Sequence, residues 1–350
     1  MNVLLVKMSS LGDIVHTLPA LCDAAGHGVR FDWVVEENYR AVPARVAGVD
    51  RVLEVAFRRW RTEPFAFQAE LRDFRKRLRQ RRYELVLDAQ GLLKSAVVGV
   101  WAHADERVGF DAASARERVA ALAYRRGISV PRDWHAIDRS RRLFANALGY
   151  DVPDHEPAFG LGGSRNPVGN DSSNEVVFAH GTTWATKHWP DAFWTVLARI
   201  AVDQGFVPVL LCANGERARV ERIARDVPGA RVCPQMDLND VVGLLADACG
   251  VIGVDSGLAH LGAALGRPTV MLFGPSDPAL TGCRGRYVRN LTASLACSPC
   301  ASKQCRLGRR LRVPQHAGNW APCLASVEPA RAWSVLLDLL PGPHRNVADS

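Results

Sequence analysis

The sequence predicts an α/β protein built as two Rossmann-like, doubly wound units in tandem, facing each other across a cleft. Three observations carry this. Short apolar or β-branched runs alternate with helix-periodic stretches, the pattern of strand–helix–strand crossovers. The alternation breaks once, at GLGGSRNPVGNDSSN (160–174), and then restarts. A stretch so dense in Gly, Ser, Asn and Pro reads as a linker. Finally, 350 residues exceed one ordinary core and suit two domains of about 150 residues each. The expected boundaries are a first domain at 1–160, a linker at 161–174 and a second domain at 175–350.

In the first half, strands are expected at 3–6, 31–35, 52–55 and 85–88, with a helix beginning near Ile14. After the linker come a strand at 176–180, a helix at 190–204, a strand at 207–212 and a helix from Glu216. A strand at 251–254, a helix at 256–265 and a strand at 269–273 follow. Pro190 suits a first helical turn, where its missing N–H costs nothing. In open α/β sheets ligands bind beyond the carboxyl ends of the strands, so the cleft is the expected site.

Composition narrows the class. About half of the residues are hydrophobic and about a quarter charged, as in soluble globular proteins. No apolar run approaches the roughly 20 residues of a membrane-spanning helix. The opening MNVLLVKMSSLGD lacks a charged leader and a cleavage site, and reads as a first strand rather than a signal peptide. The cysteines number nine, and Cys22, Cys212, Cys233 and Cys249 fall inside expected helices or strands. Buried thiols suit a reducing compartment, so the cytoplasm is expected.

The net charge of +8 is concentrated: residues 1–150 hold 25 Lys/Arg against 18 Asp/Glu, and residues 58–82 alone carry ten basic and three acidic residues. Such a surface suits nucleic acid, an anionic membrane or an anionic substrate. No aromatic-interleaved basic platform supports the first. The Arg-rich stretch 67–82 also reads simply as the wet face of a helix.

Four segments could carry chemistry. The first strand runs into Ser9-Ser10-Leu11-Gly12-Asp13, where small residues allow close approach and Gly12 permits a tight turn. Asp13 is either a helix-capping carboxylate or a general base on a sugar hydroxyl. The strand at 176–180 ends in HGTTWATKHWP, where Thr182, Thr183 and the mobile ammonium of Lys187 would make a diphosphate clamp or a structural turn. The run VDSGLAH ends a strand at Asp255 and opens a helix at Ser256-Gly257, whose N–H groups suit an anion, with His260 one turn in. Glu216 could accept from ribose hydroxyls or serve only as a helix-dipole carboxylate. Cys297, Cys300, Cys305 and Cys323 could hold zinc, but their spacing lacks a second close pair; no metal is expected.

Together these segments resemble the heptosyltransferase family, inverting glycosyltransferases of the two-Rossmann-domain (GT-B) type. The resemblance spans essentially the whole chain. It rests on MNVLLVKMSSLGDIVHTLPAL, FDWVVEE, RRWR (58–61), DAQGLLKSA (88–96), TTxxxKHWP and VDSGLAHLGAALGRPTVMLFGPSDP, in that order. The opening KxSSLGDxxHTLPAL is nearer to the type I branch than to type II, whose loop has a Trp-Ile-Gly-Asp form.

The resemblance implies transfer of heptose from ADP-heptose to the Kdo (3-deoxy-octulosonic acid) of Kdo-lipid A in lipopolysaccharide inner-core synthesis. The alternative is an acceptor already bearing heptose. It implies Asp13 as base, with Lys187 also catalytic. Thr182, Thr183 and Lys187 would hold the donor diphosphate, Glu216 and Met236 would lie near ribose and adenine, and Asp255, Ser256, Gly257 and His260 around the heptose and its phosphates. Ser256 stands where some members carry Thr, which keeps the hydroxyl. Ser10, Gly12, Arg58, Arg59, Arg61, Lys94, Arg116 and Arg139 would face the anionic acceptor. No cofactor and no nucleic-acid partner are implied, and the chain would sit peripherally on the anionic cytoplasmic face of the inner membrane.

Overall fold

The structure, a computed structural model, describes residues 1–62, 64–161, 173–213, 215–307 and 321–341, without the side chains of 64–66. The linker expected at 161–174 lies almost wholly outside the described residues. The chain divides into two compact units, Met1–Gly162 and Gly163–Ser350.

The first unit runs β1 (Asn2–Val6), α1 (Leu11–Gly26), β2 (Arg30–Glu36), β3 (Val49–Val55), α2 (Phe57–Trp60), α3 (Pro64–Leu78), β4 (Arg82–Asp88), α4 (Leu93–Trp101), β5 (His103–Phe110), β6 (Arg126–Ile128) and α5 (Ala136–Leu148). Its strands pair in parallel in the order β3-β2-β1-β4-β5-β6. Sequence order reverses between β1 and β4, and the crevice beyond such a switch point is where doubly wound sheets bind ligands. Both strands there carry an unbroken apolar run, as strands covered on two faces need: Val3 to Val6 and Leu85 to Leu87 are buried.

The second unit repeats this architecture. It runs β7 (Glu175–Ala179), α6 (Asp191–Asp203), β8 (Val207–Cys212), α7 (Arg217–Ala224), β9 (Arg231–Gln235), α8 (Leu238–Asp247), β10 (Gly250–Val254), α9 (Gly257–Ala264), β11 (Thr269–Phe273), α10 (Pro278–Thr281), β12 (Val288–Thr292) and α11 (Pro329–Leu339). The parallel order is β12-β11-β10-β7-β8-β9, with the switch point between β10 and β7. Trp189 and Trp194 meet edge to face at 4.9 Å in the core, and the Trp189 indole donates to the carbonyls of Leu324 and Val327. This roots the chain that leaves β7.

Every expected strand forms; β8 and β11 start where expected and the other six start one to three residues earlier, while β5, β6, β9 and β12 were not expected. All four lie at or next to sheet edges. Polar residues interrupt their apolar pattern, as in HADERVGF, or Pro234 does, as in RVCPQ. Pro190 stands at the N-cap of α6 in extended conformation (φ −56°, ψ 136°), not in its first turn. Cys249 lies between α8 and β10 rather than within an element. Among the described residues no helix is long and apolar enough to cross a membrane.

Candidate active site

In the first unit the switch-point crevice is a cavity of about 170 Å3 lined by Lys7, Asp13, His16 and Gln90 with Arg116, Arg132 and Arg139. Ser10, not Asp13, stands at the N-cap of α1. The Asp13 carboxylate, in the first turn, accepts from the Ser10 backbone N–H and from Ser10 Oγ, both at 2.9 Å. Both bonds reach Oδ2, and Oδ1 lies 3.9 Å from Lys7 Nζ. One Asp13 oxygen thus helps close the helix start, and the other faces Lys7.

Burial alone would raise the Asp13 carboxyl; the Lys7 ammonium and the Ser10 bonds outweigh it and hold it below its ordinary value. Lys7, at the end of β1, donates to the Ala89 carbonyl at 3.0 Å, and burial lowers it. Gln90 Oε1 accepts from the N–H groups of Met8 and Ser9, fixing the loop after β1 against the loop after β4. That second loop is shaped by Asp88, whose carboxylate accepts from the N–H groups of Gln90 and Gly91. Arg139 donates to the Ser114 carbonyl and lies over the Phe110 ring; Arg132 donates to the carbonyls of Ala115 and Arg116. Four cations around one ionised carboxylate make a pocket whose chemistry suits an anion beside a hydroxyl.

Of the residues expected to face an acceptor, Asp13, Arg116 and Arg139 line this cavity, and Ser10 and Gly12 flank Asp13. Arg58, Arg59, Arg61 and Lys94 do not line it. Arg59 is committed to Glu37 and Glu70, which it contacts at 3.1 and 2.8 Å, and Glu70 is drawn down to about 2 by that pairing and by the Trp60 indole. Arg58 lies over the Tyr39 ring, and Arg61 is exposed. Lys7, His16, Gln90 and Arg132 are cavity residues that the sequence did not single out. Lys7 alone left a signal, as a cation at the carboxyl end of the first strand.

In the second unit the switch point brings together the segments after β7 and β10. Lys187 Nζ pairs with Asp255 Oδ2 at 2.6 Å and sits 4.5 Å over the Trp184 ring. It is therefore held in place, contrary to the mobile ammonium expected. The other Asp255 oxygen faces His260 Nε2 at 3.5 Å, and His260 Nδ1 faces Cys283 Sγ at 3.5 Å. Burial would raise Asp255, but His260 and Lys187 drive it well below the carboxylate range. Ser256 caps α9, its Oγ accepting from the Ala259 N–H. Thr182 and Ser256 are half-buried and Thr183 exposed, while Met236 lies half-buried in the turn between β9 and α8.

Glu216 caps α7, 3.8 Å from Arg219, with its carboxylate beside Gly181. A Cβ at Gly181 would stand 3.1 Å from Glu216 Oε2, so glycine there lets the carboxylate reach the start of the Thr182–Lys187 segment. Trp184 and Cys283 went unnoticed in the sequence. The four clustered cysteines behave unexpectedly: Cys297, Cys300, Cys305 and Cys323 line one small apolar cavity with Thr186. None of the nine cysteines is in a disulfide, and no group of three or more His, Cys, Asp or Glu among the described residues stands at metal-holding separation.

Two switch-point sites on paired doubly wound units, one cationic around a carboxylate and one built on a Lys–Asp pair and a helix start, are the parts of a sugar-nucleotide transferase. The sequence pattern of glycosyltransferase family 9 (heptosyltransferase) matches residues 71–310. Lipopolysaccharide heptosyltransferase 1 of Pseudomonas aeruginosa is 44% identical over 310 residues, covering 87% of each chain. The solved structure of the E. coli heptosyltransferase WaaC with ADP is 40% identical, with a TM-score of 0.77, over 84% of this chain and 93% of that one. A structure of WaaC with ADP-2-deoxy-2-fluoro heptose aligns with a TM-score of 0.75. The chain belongs to glycosyltransferase family 9, the heptosyltransferases, and is an enzyme of that class.

Proposed function

We propose that this chain is an inverting heptosyltransferase that moves L-glycero-D-manno-heptose from ADP-heptose to the Kdo of Kdo-lipid A in lipopolysaccharide inner-core synthesis. The observation that carries the acceptor side is the first unit's cavity, where an ionised Asp13 sits among Lys7, Arg116, Arg132 and Arg139. Kdo is a sugar acid, so it brings a carboxylate for the cations and a hydroxyl for the base. Asp13 takes the hydroxyl proton as the oxygen attacks the anomeric carbon. The bond from that carbon to the diphosphate breaks, and ADP leaves with the electron pair.

The donor side rests on the second unit. Lys187, the hydroxyls of Thr182 and Thr183 and the N–H groups at the start of α9 would bear the charge that builds on the diphosphate. Glu216 and Met236 would face ribose and adenine, and His260 with Asp255 the heptose. The ligands named with the WaaC structures, ADP and a fluoro-heptose analogue, support this donor. The basic first half supports peripheral work at an anionic cytoplasmic membrane surface, where a lipid-borne acceptor resides.

The test is to incubate the protein with ADP-heptose and Kdo-lipid A, following ADP release and product mass. The expected result is one heptose added per acceptor. Transfer only to an acceptor that already bears heptose would assign the chain to the type II reaction instead.

A further inference from the structure

We propose that the face formed by α4 and the adjoining 3-10 helix Arg118–Ala123 docks this chain on an anionic lipid bilayer. The inference rests on the reading above that the acceptor is a lipid. Eight large hydrophobic residues are exposed among the described residues, and five of them, Leu93, Val97, Val100, Val119 and Leu122, come from these two short neighbouring elements. Leu122 is 88% exposed and Leu93 and Val119 are each 53% exposed.

On α4 the three fall at i, i+4 and i+7, one stripe of a helix whose opposite face buries Ser95, Ala96, Val98 and Gly99. A helix that is apolar on both faces has a core on one side and needs a second apolar partner on the other. The 3-10 helix adds Val119 and Leu122 while Ala120 points inward. The stripes are tied together: the Leu93 N–H donates to Glu117 Oε2 at 2.7 Å, and the Glu117 N–H to the Gly91 carbonyl at 3.0 Å.

Charge selects the occupant. Arg118 and Arg125, three or four residues from Leu122 in the chain, are exposed, and the half-buried Lys94 follows Leu93. At the far end of α4 Arg75 lies over the Trp101 ring and Arg79 donates to the Trp101 carbonyl. An apolar patch rimmed by cations matches acyl chains edged by anionic headgroups; a second copy would set like charges against each other. Position agrees. α4 leaves the cavity wall after Gln90 and the 3-10 helix leaves it after Arg116, so the patch begins where the acceptor pocket ends.

The full chain is mixed with phosphatidylethanolamine–phosphatidylglycerol vesicles or with phosphatidylcholine vesicles and sedimented, alongside the variant V97S/V100S/L122S. The wild-type chain should partition to the anionic vesicles and leave the neutral ones largely unbound. The variant should lose about tenfold or more of that partition. With Kdo-lipid A in vesicles the variant's KM should rise, while turnover on the deacylated, water-soluble acceptor should stay at the wild-type level, which also reports that it folds. Equal vesicle partition by both proteins would overturn the proposal, as would self-association of the wild-type chain, abolished in the variant, without vesicle binding. Vesicle partition without heptose transfer to either acceptor would leave the docking face standing and sink the functional reading.

Discussion

Asp13 is poised by neighbours rather than by its own chemistry. With one oxygen occupied by Ser10 and the other beside Lys7, it stays ionised across the neutral range. Asp13→Asn keeps the hydrogen-bond geometry and removes the base. It should cut kcat by about 10²–10⁴-fold in steady-state assays while leaving the ADP-heptose KM nearly unchanged. Near-normal kcat would end the base assignment. Lys7→Met removes the cation that lowers Asp13, so the carboxyl should titrate at higher pH. The acidic limb of the kcat/KM profile should then move upward in pH; an unmoved limb would mean that Lys7 does not set the charge of Asp13. Lys187→Ala should weaken ADP binding by calorimetry and slow turnover together. At this scale the sequence was partly legible. Asp13 and Lys187 stand in compact motifs, whereas Lys7, Gln90 and Arg132 converge from three separate strand ends, which linear spacing does not reveal.

Among the elements, the pair β10 and α9 bears the proposed donor side. β10 reads GVIGV and is buried throughout, and its Gly253 lets α9 lie close: a Cβ there would stand 2.8 Å from the Cβ atoms of both Ala179 and Ala259. Gly253→Ala should therefore force β7, β10 and α9 apart and cost about 1–3 kcal/mol in urea denaturation. It should also raise the donor KM, because Asp255 and Ser256 follow directly; unchanged stability would show that the contact relaxes freely. The central strands were legible because burial on both faces demands unbroken apolar runs. Of the four edge strands only β3 was legible; in β6, β9 and β12 most residues meet water and break the pattern. Helix starts were off by one to three residues wherever a cap rather than an apolar residue marks the entry, as at Ser10 and Ser256.

At the scale of the whole molecule, the restart of strand–helix alternation after residue 174 announced two like units, and the uneven charge announced different duties for them. The charge did not say which cations would gather: much of 58–82 faces solvent or pairs internally, as Arg59 does, and the cavity cations Arg116, Arg132 and Arg139 come from later segments. Stability should depend on pH through two histidines of the second unit. Burial and the Arg219 guanidinium push both His180 and His188 down to about 4. His180 Nδ1 faces Arg219, whose charge favours the neutral ring, and this and burial outweigh the bond from Nε2 to the Leu211 carbonyl at 2.8 Å. In the unfolded chain both regain an ordinary value near 6.5, so that state binds more protons as pH falls from about 6.5 to about 4. Stability is thus lost through that window, up to roughly 3 kcal/mol for His180. Thermal melts at pH 7.5 and 4.5 should show it, and His180→Gln, which can still donate to Leu211, should shrink the difference. An equal pH dependence in the variant would exonerate His180.

The 2.6 Å pair of Lys187 with Asp255 carries a consequence for the rhythm of turnover. On the proposed donor reading, a pyrophosphate that recruits this ammonium shares or contests it with a carboxylate already seated there, which tempers the grip on the incoming sugar nucleotide. On the same reading, the carboxylate competes for the lysine once the sugar has moved on, which favours release of the spent nucleotide.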